Sequence, residues 1–297
     1  MLATDTVRNL QLNTSTNPDI SLIPASAYTY EELTEAYNQT RVDYIVPMPM
    51  NAAKLQEYVE TYDVDMDASA VAVDAEGQKL SLGMLGVRKN RAWITRLGVI
   101  RSNRRQRVGW TLVNHLIEQA YQKDADYVIL EVIDDNYPAY NLFIKKGFKP
   151  VRELLVLRRP PGDVKINPPE AKIDMLSYSD AIELLKKRSS KPSWLDEYES
   201  LLNAGNLSAF YARLNDGSEG WLVYQNTVFQ LGRLVIQTEV GNQFDVGRAL
   251  LHHLHMEHPV QDTKTENLPA NDPHWPAFEE LGYMVSFRRI EMILPLK

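Results

Sequence analysis

Residues 97–120 read LGVIRSNRRQRVGWTLVNHLIEQA, and residues 127–148 read YVILEVIDDNYPAYNLFIKKGF. The first stretch leaves a strand-like run (93–100), crosses a turn rich in nitrogen donors, and then changes period. Val108, Leu112, His115, Leu116, Gln119 and Ala120 recur at helical spacing, so a long helix starts near Gly109. The second stretch opens as a continuous apolar strand over 127–132. Pro138 begins a further helix, and Lys146-Gly147 ends it as a glycine C-cap would. A strand, a basic turn and a helix make an anion site, because the first helical amides lack an intrahelical partner and the dipole favours negative charge. Gly109 lets a ligand approach the backbone, and Arg101, Arg104, Arg105 and Arg107 can supplement the amides with charge. The natural guest is a pyrophosphate.

Upstream, Thr29-x-x-Glu32 is a capping box opening an amphipathic helix that runs to about Asn38. Residues 51–62 give a second short helix, with Leu55 and Val59 spaced by four. Runs at 68–73, 79–87 and 93–100, separated by Glu76-Gly77 and Lys89-Asn90, read as an antiparallel meander. Residues 151–157 form another strand. Arg159-Pro160-Pro161-Gly162 and Asn167-Pro168-Pro169 then interrupt regular structure. Beyond them a strand (172–176), helices near 180–187 and 194–202, and further strands follow.

This second part repeats the first. ITRLGVI (94–100) resembles QLGRLVI (230–236), and Val108-Gly109 resembles Val246-Gly247. Asn136 and Gly147 stand eleven positions apart, as do Asn271 and Gly282, with Phe143 and Phe278 at one offset and Phe148 and Tyr283 at another. The expected organisation is an N-terminal arm or edge strand (1–27), a first copy (28–160), a proline-rich linker (161–171) and a second copy (172–297).

Composition narrows the partners. The 297 residues carry a net charge of −7, with 20 basic against 22 acidic residues up to position 170 and 12 against 17 beyond. Neither part has the basic excess that counterion release from a nucleic-acid backbone requires, so no nucleic acid is expected. A positive cluster in an acidic chain suits a small anion. No apolar run approaches the roughly 18 residues of a membrane span, and residues 1–20 do not read as a secretory signal. Cysteine is absent, which fits a cytoplasmic setting and removes thiolate metal sites and cysteine nucleophiles.

The two quoted blocks together closely resemble the GCN5-related N-acetyltransferase (GNAT) superfamily. Its donor loop has the form Gln/Arg-x-x-Gly-x-Gly/Ala, matched here by Arg104 and Gly109. Its later block is matched at Leu130, Val132, Asn136, Ala139, Leu142, Gly147 and Phe148. The resemblance implies an α/β (α+β) chain with two tandem GNAT folds, each a splayed, mostly antiparallel sheet flanked by helices. It also implies acetyl-CoA as acyl donor, and a small-molecule or peptide amine as acceptor attacking the thioester directly. The pantetheine arm would pair with the backbone of Leu97 and Val99 as an added strand. Residues Arg104, Arg105, Gln106, Arg107, Val108, Gly109 and Trp110 would surround the pyrophosphate, and Asn136 and Phe143 would flank the thioester end.

Two departures matter. The family's first loop glycine is Arg107 here, and its tyrosine beside the thiolate is Phe143, which has no proton to donate. Tyr140, one helical turn earlier, or water is left as the acid. Glu131, Asp134 and Asp135 bracket the end of the strand leading to Asn136 and are the candidate bases. Asp43, Tyr44 and Pro47-Met48-Pro49-Met50 are candidates for the acceptor pocket. In the second copy the loop reads Asn242-Gln243-Phe244-Asp245-Val246-Gly247. A carboxylate stands where the pyrophosphate would sit, so that copy is expected to be degenerate. His252, His253, His255 and His258 lack an HExxH pattern, and no metal is expected. The alternative to an enzyme is an acyl-CoA-binding sensor. Acceptor identity and quaternary state stay open.

Overall fold

The computed structural model describes residues 20–297, so most of the expected N-terminal arm lies outside the described residues. The chain forms two compact units: Met1–Val151 with Ile290–Lys297, and Arg152–Arg289. Among the described residues no helix is long and apolar enough to cross a membrane.

The first unit opens with β1 (Ser21–Pro24), an edge strand antiparallel to β2 (Val64–Val73). Helix α1 (Tyr30–Thr40) starts at the capping box: Glu32 N donates to Thr29 Oγ1 at 3.2 Å, and Thr29 N donates back to the Glu32 carboxylate at 2.9 Å. Asn51 caps α2 (Ala52–Thr61) by accepting from Lys54 N at 2.9 Å. Strand β2, β3 (Lys79–Arg88) and β4 (Arg91–Val99) form the meander. Helix α3 (Val108–Gln122), β5 (Tyr127–Ile133) and α4 (Tyr137–Lys145) follow. The order is β1-β2-β3-β4-β5-β12, where β12 (Met284–Pro295) contributes its 290–295 portion. Val128, Leu130 and Val132 alternate inward from β5 onto Leu112, Val113 and Leu116 of α3, which is the period-2 against period-3.6 match that builds an α/β core.

The second unit runs β6 (Lys149–Arg159), β7 (Ala171–Leu176), α5 (Tyr178–Lys186), α6 (Tyr198–Ala204), β8 (Leu207–Leu214), β9 (Glu219–Asn226), β10 (Gln230–Val240), α7 (Gln243–Glu257), β11 (Asp262–Pro269) and α8 (Trp275–Glu280). Its strand order is β6-β11-β10-β9-β8-β7. The helix expected over 194–202 is broken. A 3₁₀ turn (Trp194–Asp196) ends at Glu197, whose extended backbone (φ −63°, ψ 154°) starts α6 afresh.

The units do not divide at the prolines. Residues 160–170 form neither helix nor strand, but the division falls inside β6, after Val151. Leu155 and Leu157 of β6 are buried in the second core. The first core is completed by Met292, Leu294 and Leu296, from the far end of the chain. Each copy therefore gives up at least half of the strand that follows its last helix.

The internal repeat is real in structure, with its register shifted by one. Strand β4 bulges between Leu82↔Gly98 and Met84↔Thr95, and Arg96 there has φ 50°. Strand β10 bulges between Gly232↔Gln225 and Val235↔Val223, with Arg233 at φ 53°. Arg96-Leu97 thus corresponds to Arg233-Leu234, one position off the ungapped alignment of the two heptapeptides. A bulge inserts a residue on one strand only, which the run of letters does not show.

Candidate active site

The site begins where two parallel strands part. Pairs Arg91↔Tyr127 to Ile94↔Leu130 join β4 to β5, and no later pair joins them among the described residues. From Thr95 to Ile100 every residue is half-buried, whereas Ala92, Trp93 and Ile94 are buried. Ile100 N donates to Leu80 O on the β3 side. By alternation, the backbone of Leu97 and Val99 faces the opening. Both carbonyls are already met by arginine: Arg41 Nη2 donates to Leu97 O at 3.0 Å, and Arg104 Nε donates to Val99 O at 3.2 Å. The opening edge therefore has the polarity of an unpaired strand, stabilised by flexible side chains that a competing strand-like ligand can replace.

Past Val99 the chain turns through Arg101–Asn103 into α3. Arg107 precedes the helix in the left-handed region (φ 63°, ψ 2°), and it makes no side-chain cap hydrogen bond. Arg105 is also left-handed, at φ 66°. A left-handed residue followed by a right-handed one turns successive amides to the same side, the concave nest that holds anions. The first turn contains no acidic residue. The family glycine at position 107 is thus explained by backbone angle, and Arg107 accepts that angle here at a cost of about 1 kcal/mol.

The arginines divide the work unequally. Arg104 is not turned to the nest: its guanidinium makes two bonds to Asp43, at 2.7 and 2.8 Å, and it reaches Thr40 O at 3.4 Å. The Arg104 hydrogen bond holds the Asp43 carboxyl below its ordinary range. Arg105, Gln106 and Arg107 are exposed beside the nest. Val108 is buried, and a Cβ on Gly109 would come within 3.3 Å of Val99 Cγ2 and 3.7 Å of Leu142 Cδ2. Gly109 thus seats α3 against strand and helix as well as baring the backbone. Trp110 lies under the Lys146 ammonium, 3.1 Å from Nζ to the ring centroid. Lys146 is buried and also bonds Asn114 Oδ1; desolvation lowers its pKa to about 7.

At the other end of the opening, Asn136 caps α4. Its Oδ1 accepts from Ala139 N at 3.4 Å, and its Nδ2 donates to Tyr44 Oη at 3.4 Å. Phe143 is buried edge-to-face on Phe148, their centroids 5.8 Å apart. Tyr140 packs its ring against the same core. Glu131 is the first β5 residue past the last pair, and Trp93 Nε1 donates to its carboxylate at 2.7 Å. Asp134 and Asp135 form an exposed turn before Asn136. Beside Glu131, Tyr58 Oη lies 2.5 Å from Thr95 Oγ1, and Arg96 stacks on the Tyr58 ring at 3.9 Å and donates to Tyr37 Oη at 3.2 Å. Sequence reading missed this aromatic wall of Tyr37, Tyr58 and Trp93. Its members are far apart in the chain and carry no motif.

The second unit repeats the parting of strands but fills it. Pairing of β10 with β11 ends at Gly232↔Lys264. Asn242 Oδ1 accepts from Phe244 N at 3.0 Å and Asp245 N at 3.3 Å, so two amides of the first turn of α7 are spent. Asp245 adds a carboxylate in that first turn. His274, where the first copy has Ala139, is buried. It bridges the split, with Nε2 2.9 Å from Thr238 Oγ1 and Nδ1 3.0 Å from Asp272 Oδ1. The histidines of α7 serve packing: His258 meets Tyr224, His253 meets Phe210 and His255 meets Tyr283. No group of three or more potential metal ligands occurs among the described residues.

Residues 30–148 match the family model described as the acetyltransferase (GNAT) family. This segment belongs to the GNAT family. The fold likeness extends across both units. A GCN5-related N-acetyltransferase from Sphaerobacter thermophilus superposes with a TM-score of 0.70 at 15% identity, covering 94% of this chain and 96% of that one. A tandem GNAT protein from the clavulanic acid biosynthesis pathway gives 0.64 at 15% identity, covering 94% and 99%. A putative acetyltransferase from Pyrococcus horikoshii gives 0.63 at 14% identity, covering 94% and 90%. No curated protein matches the sequence. The chain thus carries two tandem GNAT folds, the first of them recognisable in sequence.

Proposed function

We propose that this protein is an acetyl-CoA-dependent N-acetyltransferase whose first unit binds the donor and carries out the transfer. The GNAT family's reaction, acyl transfer to an amine, supports the class of chemistry. The observation that carries the assignment to one unit is the contrast between the two helix starts. The α3 start is uncapped, free of acid and preceded by a left-handed residue; the α7 start is capped by Asn242 and carries Asp245.

The residues fit the donor. Its pyrophosphate suits the amides of 108–110, with Arg105 and Arg107 alongside, and its pantetheine arm suits the edge of Leu97 and Val99 once Arg41 and Arg104 yield their carbonyls. The acceptor amine would attack the thioester carbon; the C–N bond forms, the C–S bond breaks, and the amine loses a proton. Glu131, whose carboxylate accepts from the Trp93 indole just past the last β4–β5 pair, would take that proton. Much of the rate would come from holding amine and thioester in line at the parting of β4 and β5, beside Asn136.

Calorimetric titration of the full chain with CoA, followed by thiol release from acetyl-CoA in the presence of an amine panel, tests the reading. One donor bound per chain and amine-dependent thiol release are expected. Binding without release under any amine would favour the sensor. No binding would end both.

A further inference from the structure

The departing sulfur leaves as a thiolate and is best discharged with a proton in hand. Position 143 offers none, since a phenylalanine is buried there against Phe148. Most tyrosines about the opening are committed elsewhere. Tyr37 is buried and accepts from Arg96. Tyr58 is paired with Thr95 Oγ1, and burial pushes its phenol well above the ordinary value. Tyr140 is half-buried and packs on the core, and the hydroxyl that meets Asn136 Nδ2 is not its own.

Tyr44 is different. It sits half-buried in the loop between α1 and α2, distant in sequence from the helix that carries Phe143, yet with its Oη 3.4 Å from Nδ2 of Asn136, the cap of that helix. The loop is fastened on every side of it. At its base, Asn38 and Met50 exchange two hydrogen bonds, at 2.9 and 3.0 Å. Before Tyr44, the Arg41 guanidinium lies over the Tyr44 ring, 4.1 Å from its centroid, a contact separate from the Leu97 carbonyl that the donor would take. Directly before it, Asp43 grips Arg104. These ties bring one phenolic hydroxyl to the end of the split strands where Asn136 begins α4.

We infer, on the reading of the first unit as an acetyltransferase, that Tyr44 is its general acid and Arg41 the residue that positions it. As the C–S bond breaks, the Tyr44 hydroxyl gives its proton to the thiolate, and CoA leaves as the free thiol. The phenolate regains a proton from solvent, and Glu131 passes to solvent the proton it took from the amine, so the cycle closes with no further reactant.

Thiol release from acetyl-CoA with glucosamine, spermidine and an alanine-terminated peptide as acceptors, compared in wild type, Tyr44→Phe and Arg41→Met, is the test. Tyr44→Phe is expected to lower kcat roughly 100-fold. Its KM for acetyl-CoA and its CoA-induced thermal shift should stay within about twofold of wild type. The alkaline fall of the wild-type kcat profile, where the acid loses its proton, should vanish in Tyr44→Phe. It should survive in Arg41→Met, whose kcat falls less. A Tyr44→Phe protein with wild-type kcat and profile would overturn the assignment while leaving the enzyme reading intact. Lost CoA binding in Tyr44→Phe would also overturn it, making Tyr44 a binding residue. Wild-type protein that binds CoA but releases no thiol would refute the enzyme reading itself, and the acid with it.

Discussion

At the scale of residues, Gly109 has two duties. Its missing Cβ bares the amides and also lets α3 sit against Val99 and Leu142. Gly109→Leu should therefore abolish CoA binding and also cost about 1–3 kcal/mol of stability through overpacking, read as a lowered denaturation midpoint. A sequence reading sees only the first duty, because the neighbours 10 and 33 positions away are invisible to it. Lys146 gives a pH signature. Desolvation lowers its folded pKa to about 7, below the unfolded value near 10.5, because Asn114 Oδ1 and the Trp110 ring do not replace the water an ammonium loses on burial. Between pH 7 and about 10 the unfolded chain holds the extra proton, and stability should rise with pH. Chemical denaturation across that range should show a rise in wild type that Lys146→Met lacks.

At the scale of elements, the same strand–turn–helix unit occurs twice with opposite chemistry. The two helix starts differ in one capping side chain and one acid: Asp245 is legible in the sequence, whereas the Asn242 cap rests on geometry that the letters do not carry. The plug is only partly legible. His274 stands where the first copy has Ala139, but its reach to Thr238 depends on the split of β10 from β11. Asn242→Ala should cost about 1 kcal/mol through loss of the cap, yet it should create no second CoA site in a calorimetric titration, because Asp245 and His274 remain. Asp245→Asn alone should leave CoA affinity unchanged. In the sequence Asp43 and Tyr44 are pocket candidates only and Arg41 carries no signal, since nothing local pairs position 41 with 97 or position 44 with 136.

At the scale of the whole molecule, the copies are not separable where the prolines suggest. Alternation of apolar residues predicts that 151–157 and the C-terminal run are strands, but not which sheet each joins. That choice depends on long-range pairing, which carries no sequence signal of its own. Met292, Leu294 and Leu296 are at most 7% exposed in the first core, and each contributes about 1.5–3 kcal/mol there. A fragment ending at residue 160 should accordingly fail to bind CoA and show a non-cooperative thermal transition. Truncation of 290–297 from the full chain should destabilise the donor unit first, measured by loss of its amide protection.

Amide hydrogen exchange of the full chain with and without saturating CoA reads both copies at once. Protection should grow across 97–100 and 107–111 while 234–238 and 243–248 stay unchanged. Equal protection in both copies, or none in the first, would contradict a single donor site at the start of α3.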